Sequence, residues 1–117
     1  MNKKQVEGKT GETIASDYLD GIGYRLLHKN FRCKQGEIDL IAKDGEDIVF
    51  IEVKTRRSTN YGEAREAVNR EKIRHIMKTA MYYLYMTRQE TAFVRIDVIE
   101  VYLMHGEVRI NHLKQVI

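Results

Sequence analysis

The sequence predicts an α/β protein in which helices pack on a mixed β-sheet, with the elements running α-β-β-β-α-β-β. Three observations carry that expectation. Between Gly36 and Arg57, two runs of branched apolar residues flank Asp44-Gly45-Glu46-Asp47, which is a hairpin signal. Further on, Ile73, Ile76, Met77, Ala80, Met81 and Leu84 recur at helical spacing. The apolar run from Phe93 to Leu103 then reads as a strand entered from that helix, parallel to its sheet neighbour through a right-handed crossover.

Taken in order, residues 1–23 read as an amphipathic helix in which Ala15, Leu19 and Ile22 form the apolar stripe. Stepping back from Ala15 and Ser16 by three and four lands on Glu12, so that stripe brings one acid toward the core; Thr10 could instead cap a helix start that Glu12 favours through the dipole. Gly21 and Gly23 end the helix. Tyr24 to Cys33 is a first strand, turned by Lys34-Gln35-Gly36 into the hairpin to make a three-strand meander. A polar loop from Arg56 to Gly62 leaves the hairpin, and Glu63 to Arg88 is helical. Tyr82, Tyr83 and Tyr85 cannot all lie on its core stripe, so at least one is exposed. In the fourth strand Arg95 and Asp97 share a face and read as an ion pair, and His105-Gly106-Glu107 turns into a last strand through Val108, Ile110 and Leu113.

Carboxylates interrupt both strands of the hairpin. With a side-chain period of two, Glu37, Asp39 and Ile41 share a face of one strand, and Ile48, Phe50, Glu52 and Lys54 share a face of the other. If Asp44 to Asp47 form the loop, Lys43 pairs with Ile48, which sets Asp39 opposite Glu52 and Glu37 opposite Lys54. A two-residue Asp44-Gly45 turn makes Asp39 a diagonal neighbour of Glu52 instead, whereas a three-residue loop scatters the set. Directly opposed carboxylates lie roughly 4.5–5.5 Å apart at Cβ. Unit charges ~4 Å apart at an effective dielectric of 20 repel by about 4 kcal/mol, a large part of a small domain's stability. Either Lys54 or a hard divalent cation with oxygen ligands must offset them. Asp, then Glu-x-Lys on the next strand, therefore reads as a site for metal-assisted phosphodiester hydrolysis, with the carboxylates fixing the ion and the ammonium orienting a water. Charges on a solvated sheet face are the alternative, but here the acids sit inside Ile/Val/Phe runs, where surface alternation would place Thr, Lys or Ser.

At these residues the sequence resembles a family. Gly36-Glu37-Ile38-Asp39-Leu40-Ile41-Ala42 and Val49-Phe50-Ile51-Glu52-Val53-Lys54-Thr55-Arg56, with Gly8-Lys9-Thr10-Gly11-Glu12, Gly23-Tyr24 and Asn30-Phe31-Arg32 upstream, look like the YraN-like family of uncharacterised small proteins within the PD-(D/E)xK nuclease superfamily. The resemblance covers nearly the whole chain. It implies a restriction endonuclease-like fold, a mixed sheet with helices on both faces, in one endonuclease-like domain over residues 1–117, similar to archaeal Holliday junction resolvases. It also implies catalytic roles for Asp39, Glu52 and Lys54, with Glu12 matching a further acid that resolvase-like members carry on the first helix. Asp39, Glu52, Glu12 and the carbonyl of Val53 would hold Mg²⁺, for which Mn²⁺ can substitute. Ile38 stands where the superfamily pattern has proline.

The remaining expectations come from composition. A chain of 117 residues, 43% hydrophobic and 32% charged, can bury a core unaided. Its one cysteine, Cys33, excludes an internal disulfide, and Met-Asn-Lys-Lys-Gln lacks the apolar run of a signal peptide, so a cytoplasmic location is expected. No apolar run is long enough to span a membrane, and the four histidines have no zinc-ligand spacing. The net charge is +3, yet Lys54 to Lys78 holds eight basic residues against three acids, a net +5. Arg56, Arg57 and Lys72 are accordingly read as flanking a nucleic-acid path, with DNA as the expected partner. Acting on a four-way junction would call for a symmetric homodimer. A nucleic-acid-binding module that keeps the fold but has little activity of its own is the alternative function, and a structural adaptor using the tyrosine-bearing helix is a third.

Overall fold

Central strands that are apolar on both faces need cover on both, and among the described residues one helix lies on each side. The computed structural model describes residues 3–57 and 69–116. In it β1 (Arg25–Cys33), β2 (Gly36–Asp44), β3 (Asp47–Arg56), β4 (Val94–Met104) and β5 (Glu107–Leu113) form one sheet in sequence order. Only the β3–β4 pair is parallel. The crossover between those two strands carries α2 (Arg70–Met86), and α1 (Lys3–Gly21) precedes the sheet. The expected element order and the mixed sheet are both present.

Alternation sorts the core into two layers. On one face Ile41, Ile48, Phe50, Ile96 and Val98 pack with Ile76, Ala80, Tyr83 and Leu84 of α2. On the other, Leu40, Ala42, Val49, Ile51, Ile99 and Val101 pack with Ala15 and Leu19 of α1 and with Tyr24. Asn69 starts α2 from an extended conformation, its side chain accepting the Lys72 N–H at 2.8 Å. The expected helical stretch 63–68 lies outside the described residues, as do most of the polar loop and Met1 and Asn2 of the first helix.

Two apolar stripes differ from expectation. The buried line of α2 runs through Ile76, Thr79, Ala80, Tyr83 and Leu84, while Met77 and Met81 are 38% and 65% exposed. At 100° per residue, Met77 and Met81 sit beside that line rather than on it, and Tyr83 takes the central place by packing edge-on against Phe31 and Phe50. Ile22 is 46% exposed because α1 ends at Gly21, so the stripe closes at Leu19.

Two glycines position the hairpin and the helix beside it. A Cβ on Gly11 would lie 2.0 Å from Thr55 Oγ1, so only glycine lets α1 approach the end of β3 this closely. Gly45, at φ 60°, is the first of two central residues in the β2–β3 turn, where a type II′ hairpin needs glycine. That turn pairs Asp44 with Asp47 and Lys43 with Ile48, the register that points Asp39 toward Glu52.

Candidate functional site

The β2–β3 ladder ends at the Leu40–Ile51 pair, one step short of the acids. Beyond it Asp39 turns its carboxylate across the gap, and Oδ2 accepts the Val53 N–H at 2.8 Å. A side-chain oxygen has taken a donor that the ladder would give to a carbonyl, and β2 parts from β3 there. Ile38 and Ile41 lie an odd number of residues apart yet pack in the same layer, so the period of two also breaks around Asp39. This parting corrects one expectation. Glu37 does not face Lys54; it is exposed and pairs with Arg32 of β1 at 3.1 Å, because β2 stays paired to β1 after it leaves β3.

Asp39, Glu52, Lys54 and Glu12 are brought together. Glu52 is 7% exposed, and its Oε1 lies 3.4 Å from Lys54 Nζ. It lies equally 3.4 Å from Lys72 Nζ, which reaches down from the first turn of α2. Burial first, then the neighbouring Glu52 and Glu12, raise the Asp39 carboxyl to about 7, against the opposing pull of the Val53 N–H and Lys72. Glu12 thus acts electrostatically on Asp39 from α1, at the turn that Gly11 seats on Thr55. Two strand carboxylates stand together with two ammoniums on one of them, and a helix acid acts on the other.

Asp39 and Glu52 offer hard oxygen donors of the kind Mg²⁺ takes from one or two carboxylates while keeping waters for a phosphate. Among the described residues no three His, Cys, Asp or Glu side chains gather closely enough to cage an ion by themselves. The donor set thus fits an open, water-completed hard-cation site and not a closed one.

Lys72 was expected on the substrate path; the structure places its ammonium against Glu52. Arg57 is exposed, whereas Arg56 sends Nε to Glu100 Oε2 at 3.1 Å. Glu100, 1% exposed, is the acid that sequence reasoning missed. It is the β4 neighbour of Lys54 in the parallel register, and its Oε1 accepts from Tyr102 Oη at 3.0 Å and Asn111 Nδ2 at 3.1 Å. Its one sequence signal was a charge inside Ile-Asp-Val-Ile-Glu-Val-Tyr, which also flags Asp97.

Asp97 does pair with Arg95, at 3.0 Å, but it alternates with Ile99 and Val101 onto the α1 side, away from Glu52. There it also contacts His112 Nε2 at 2.7 Å and accepts the Gln115 N–H at 3.0 Å. Burial would raise its carboxyl, but the hydrogen bonds from His112, Arg95 and Gln115 outweigh burial and hold it below the usual range. It anchors the C-terminal segment.

Residues 11–101 match a family described as Uncharacterised protein family UPF0102. The chain belongs to that family. A UPF0102 protein of Caldicellulosiruptor saccharolyticus is 47% identical over 103 residues, covering 88% of this chain and 86% of the relative. One from Clostridium botulinum (strain Kyoto / Type A2) is 55% identical over 97 residues, covering 82% and 79%. Among solved structures, SSO0001 aligns with 97% of this chain and 53% of its own at a TM-score of 0.39 and 17% identity. Pyrococcus furiosus SfsA in complex with Ca²⁺ aligns with 95% and 63% at a TM-score of 0.38 and 14% identity. The chain therefore spans about half of the first and under two thirds of the second. Within the UPF0102 match fall Glu12, Asp39, Glu52, Lys54, Lys72 and Glu100. No helix among the described residues is long and apolar enough to cross a membrane.

Proposed function

We propose that this UPF0102 chain is a metal-dependent nuclease of the restriction endonuclease-like, PD-(D/E)xK kind, hydrolysing phosphodiester bonds in branched or otherwise structured DNA. One observation carries the reading: buried Glu52 and half-buried Asp39 stand where β2 parts from β3, with Lys54 beside them and Glu12 approaching from α1. A fold gains no stability from gathering like charges away from water, and strained, charge-perturbed clusters of this kind are common at catalytic sites. Asp39 and Glu52 would hold Mg²⁺, or Mn²⁺ in its place, together with the Val53 carbonyl, while Glu12 adds negative charge from α1 without joining them as a third carboxylate ligand. Bound there, the ion would supply Lewis-acid stabilisation of charge on the scissile phosphate.

The protein's own groups do the rest. The Val53 N–H fixes the Asp39 carboxylate, so one oxygen is held by the backbone and the other is left for a ligand. Lys54, whose ammonium lies 3.4 Å from Glu52, would orient the attacking water and offset charge on the phosphate. Lys72 approaches the same oxygen from the helix side and can guide the backbone of an incoming strand. Cleavage of linear, flapped and four-way DNA by the purified protein, with and without Mg²⁺, tests the reading. Lys54→Met should lower the cleavage rate by about 10² or more while sparing metal affinity, since it removes no metal ligand. Metal-dependent cleavage at an undiminished rate in that variant would remove Lys54 from the mechanism.

A binding module without chemistry of its own is favoured by a separate observation. Two lysines already compensate Glu52 without any ion. Binding of the same DNA panel with no cleavage under any metal would establish that reading instead.

A further inference from the structure

Beside the acids, one stretch of sheet is covered by neither described helix. Packing from α2 on its side of the sheet includes Ile96, Val98 and Leu113 but not the residues that follow on β4. Past that limit two rows of side chains cross three strands on the same face. Lys54, Glu100 and Asn111 form one row, and Arg56, Tyr102 and Arg109 the next. A cavity of about 360 Å³ opens there, lined by Tyr102, Met104, Arg109, Ile110 and Asn111.

Glu100 explains the order in this face. A carboxylate 1% exposed in the middle of a sheet is costly, and an apolar residue would pack there without penalty. Its two oxygens receive Arg56, Tyr102 and Asn111, three donors that come from three different strands. The effect is to set Tyr102 between two guanidinium-bearing residues in a row about 10 Å wide, two strand spacings. Arg109 is exposed and has no ion pair or hydrogen bond among the described residues. Among the described residues, Glu107 is the acid further along the face. An aromatic ring flanked by cations, continuous with a row that begins at Lys54, suits a chain of alternating bases and phosphates.

We propose that this β4–β5 face binds a nucleic-acid strand running away from the Asp39–Glu52–Lys54 site. Arg109 contacts a phosphate, Tyr102 stacks on a base, and Glu100 is the positioning residue for Tyr102, held together with Arg56, whose 13% exposed side chain is engaged by that carboxylate. The proposal rests on the nuclease reading for its direction, but its test does not require cleavage. Fluorescein-labelled DNA and RNA strands, single and duplex, are titrated with the full chain in EDTA over a series of salt concentrations. Arg109→Gln should weaken binding and flatten the dependence of log affinity on log salt by about 0.7–0.9, one phosphate contact. Arg25→Gln, an equal charge change on the opposite edge strand, should leave the slope unchanged. Tyr102→Leu should cost about tenfold in affinity for single strands, and Tyr102→Phe, which restores the ring, should recover most of it. An unchanged slope in Arg109→Gln, or equal losses in Arg109→Gln and Arg25→Gln, would overturn the proposal. A wild type that cleaves nothing, yet loses affinity and slope in Arg109→Gln alone, would remove the nuclease reading and leave the binding face standing.

Discussion

At the scale of single residues, half-buried Asp39 and fully buried Asp97 are carboxyl groups with opposite titration behaviour. Asp97 is held low by its hydrogen bonds, so it stabilises the fold above the unfolded carboxyl value and loses that contribution as pH falls further. Asp39 is pushed up to about 7, so between the unfolded value near 4 and about 7 the folded chain holds a proton that the unfolded chain has lost. Its contribution therefore favours the fold in mild acid and declines as pH rises through that window. Denaturant unfolding should show Asp39→Asn gaining stability relative to wild type on going from about pH 5 to about pH 8. A difference that stays constant with pH would mean Asp39 titrates normally. Glu52 gives a second prediction, because either of its two lysines can compensate it alone. Lys54→Met and Lys72→Met should each cost little, and the double variant should exceed their sum by about 0.5–3 kcal/mol in a thermodynamic cycle. Simple additivity would mean the lysines do not share the carboxylate.

These residues were unequally legible. Asp39, Glu52 and Lys54 could be placed on one face because a period of two does so for either even-length turn, while the choice of register was left to the structure, which pairs Asp44 with Asp47. Lys72 and Glu100 could not. Their positions depend on where α2 lands on the sheet and on the parallel register of β3 with β4, and no local pattern encodes either. The same limit hid the role of Arg56, whose charge was visible but whose buried partner was not.

At the scale of elements, Gly11 is the point at which helix and site are coupled. Gly11→Ala would drive a methyl group into Thr55 Oγ1, and overpacking of this kind costs about 1–3 kcal/mol. Gly21→Ala, at the other end of α1 with open space around its Cβ, should be close to neutral or mildly stabilising. Thr55→Ala removes the obstructing oxygen, so the Gly11→Ala/Thr55→Ala pair should recover part of the loss in thermal melts. Equal costs at Gly11 and Gly21 would mean that helix propensity, and not the contact with β3, sets the effect. The element order was readable because each helix and strand has its own period, and Asn69, although not singled out, is an ordinary cap signal. The helix stripes were less readable. Methionine and tyrosine tolerate both core and surface, so which side of α2 faces the sheet was decided by Tyr83 against Phe31 and Phe50.

For the whole molecule, the sheet and its two helices share a task. α1 and α2 cover opposite faces, and each also delivers a charged side chain to the end of β3, Glu12 from one and Lys72 from the other. The parting of β2 from β3 opens the gap that the acids border, while β4 and β5 extend the same face beyond Lys54. A sequence of pI about 9.0 thus keeps acids at its centre with basic residues around them, a distribution suited to drawing a polyanion toward a cation. The claim on which this account depends is that Asp39 and Glu52 together hold a divalent ion. Calorimetric titration of Mg²⁺ and Mn²⁺ into the wild type near neutral pH, in buffers of different ionisation enthalpy, tests it most directly. The account predicts saturable binding with proton release, as the raised Asp39 carboxyl gives up its proton, and loss of both in Asp39→Asn. The same binding in the variant, or none in the wild type, would contradict it.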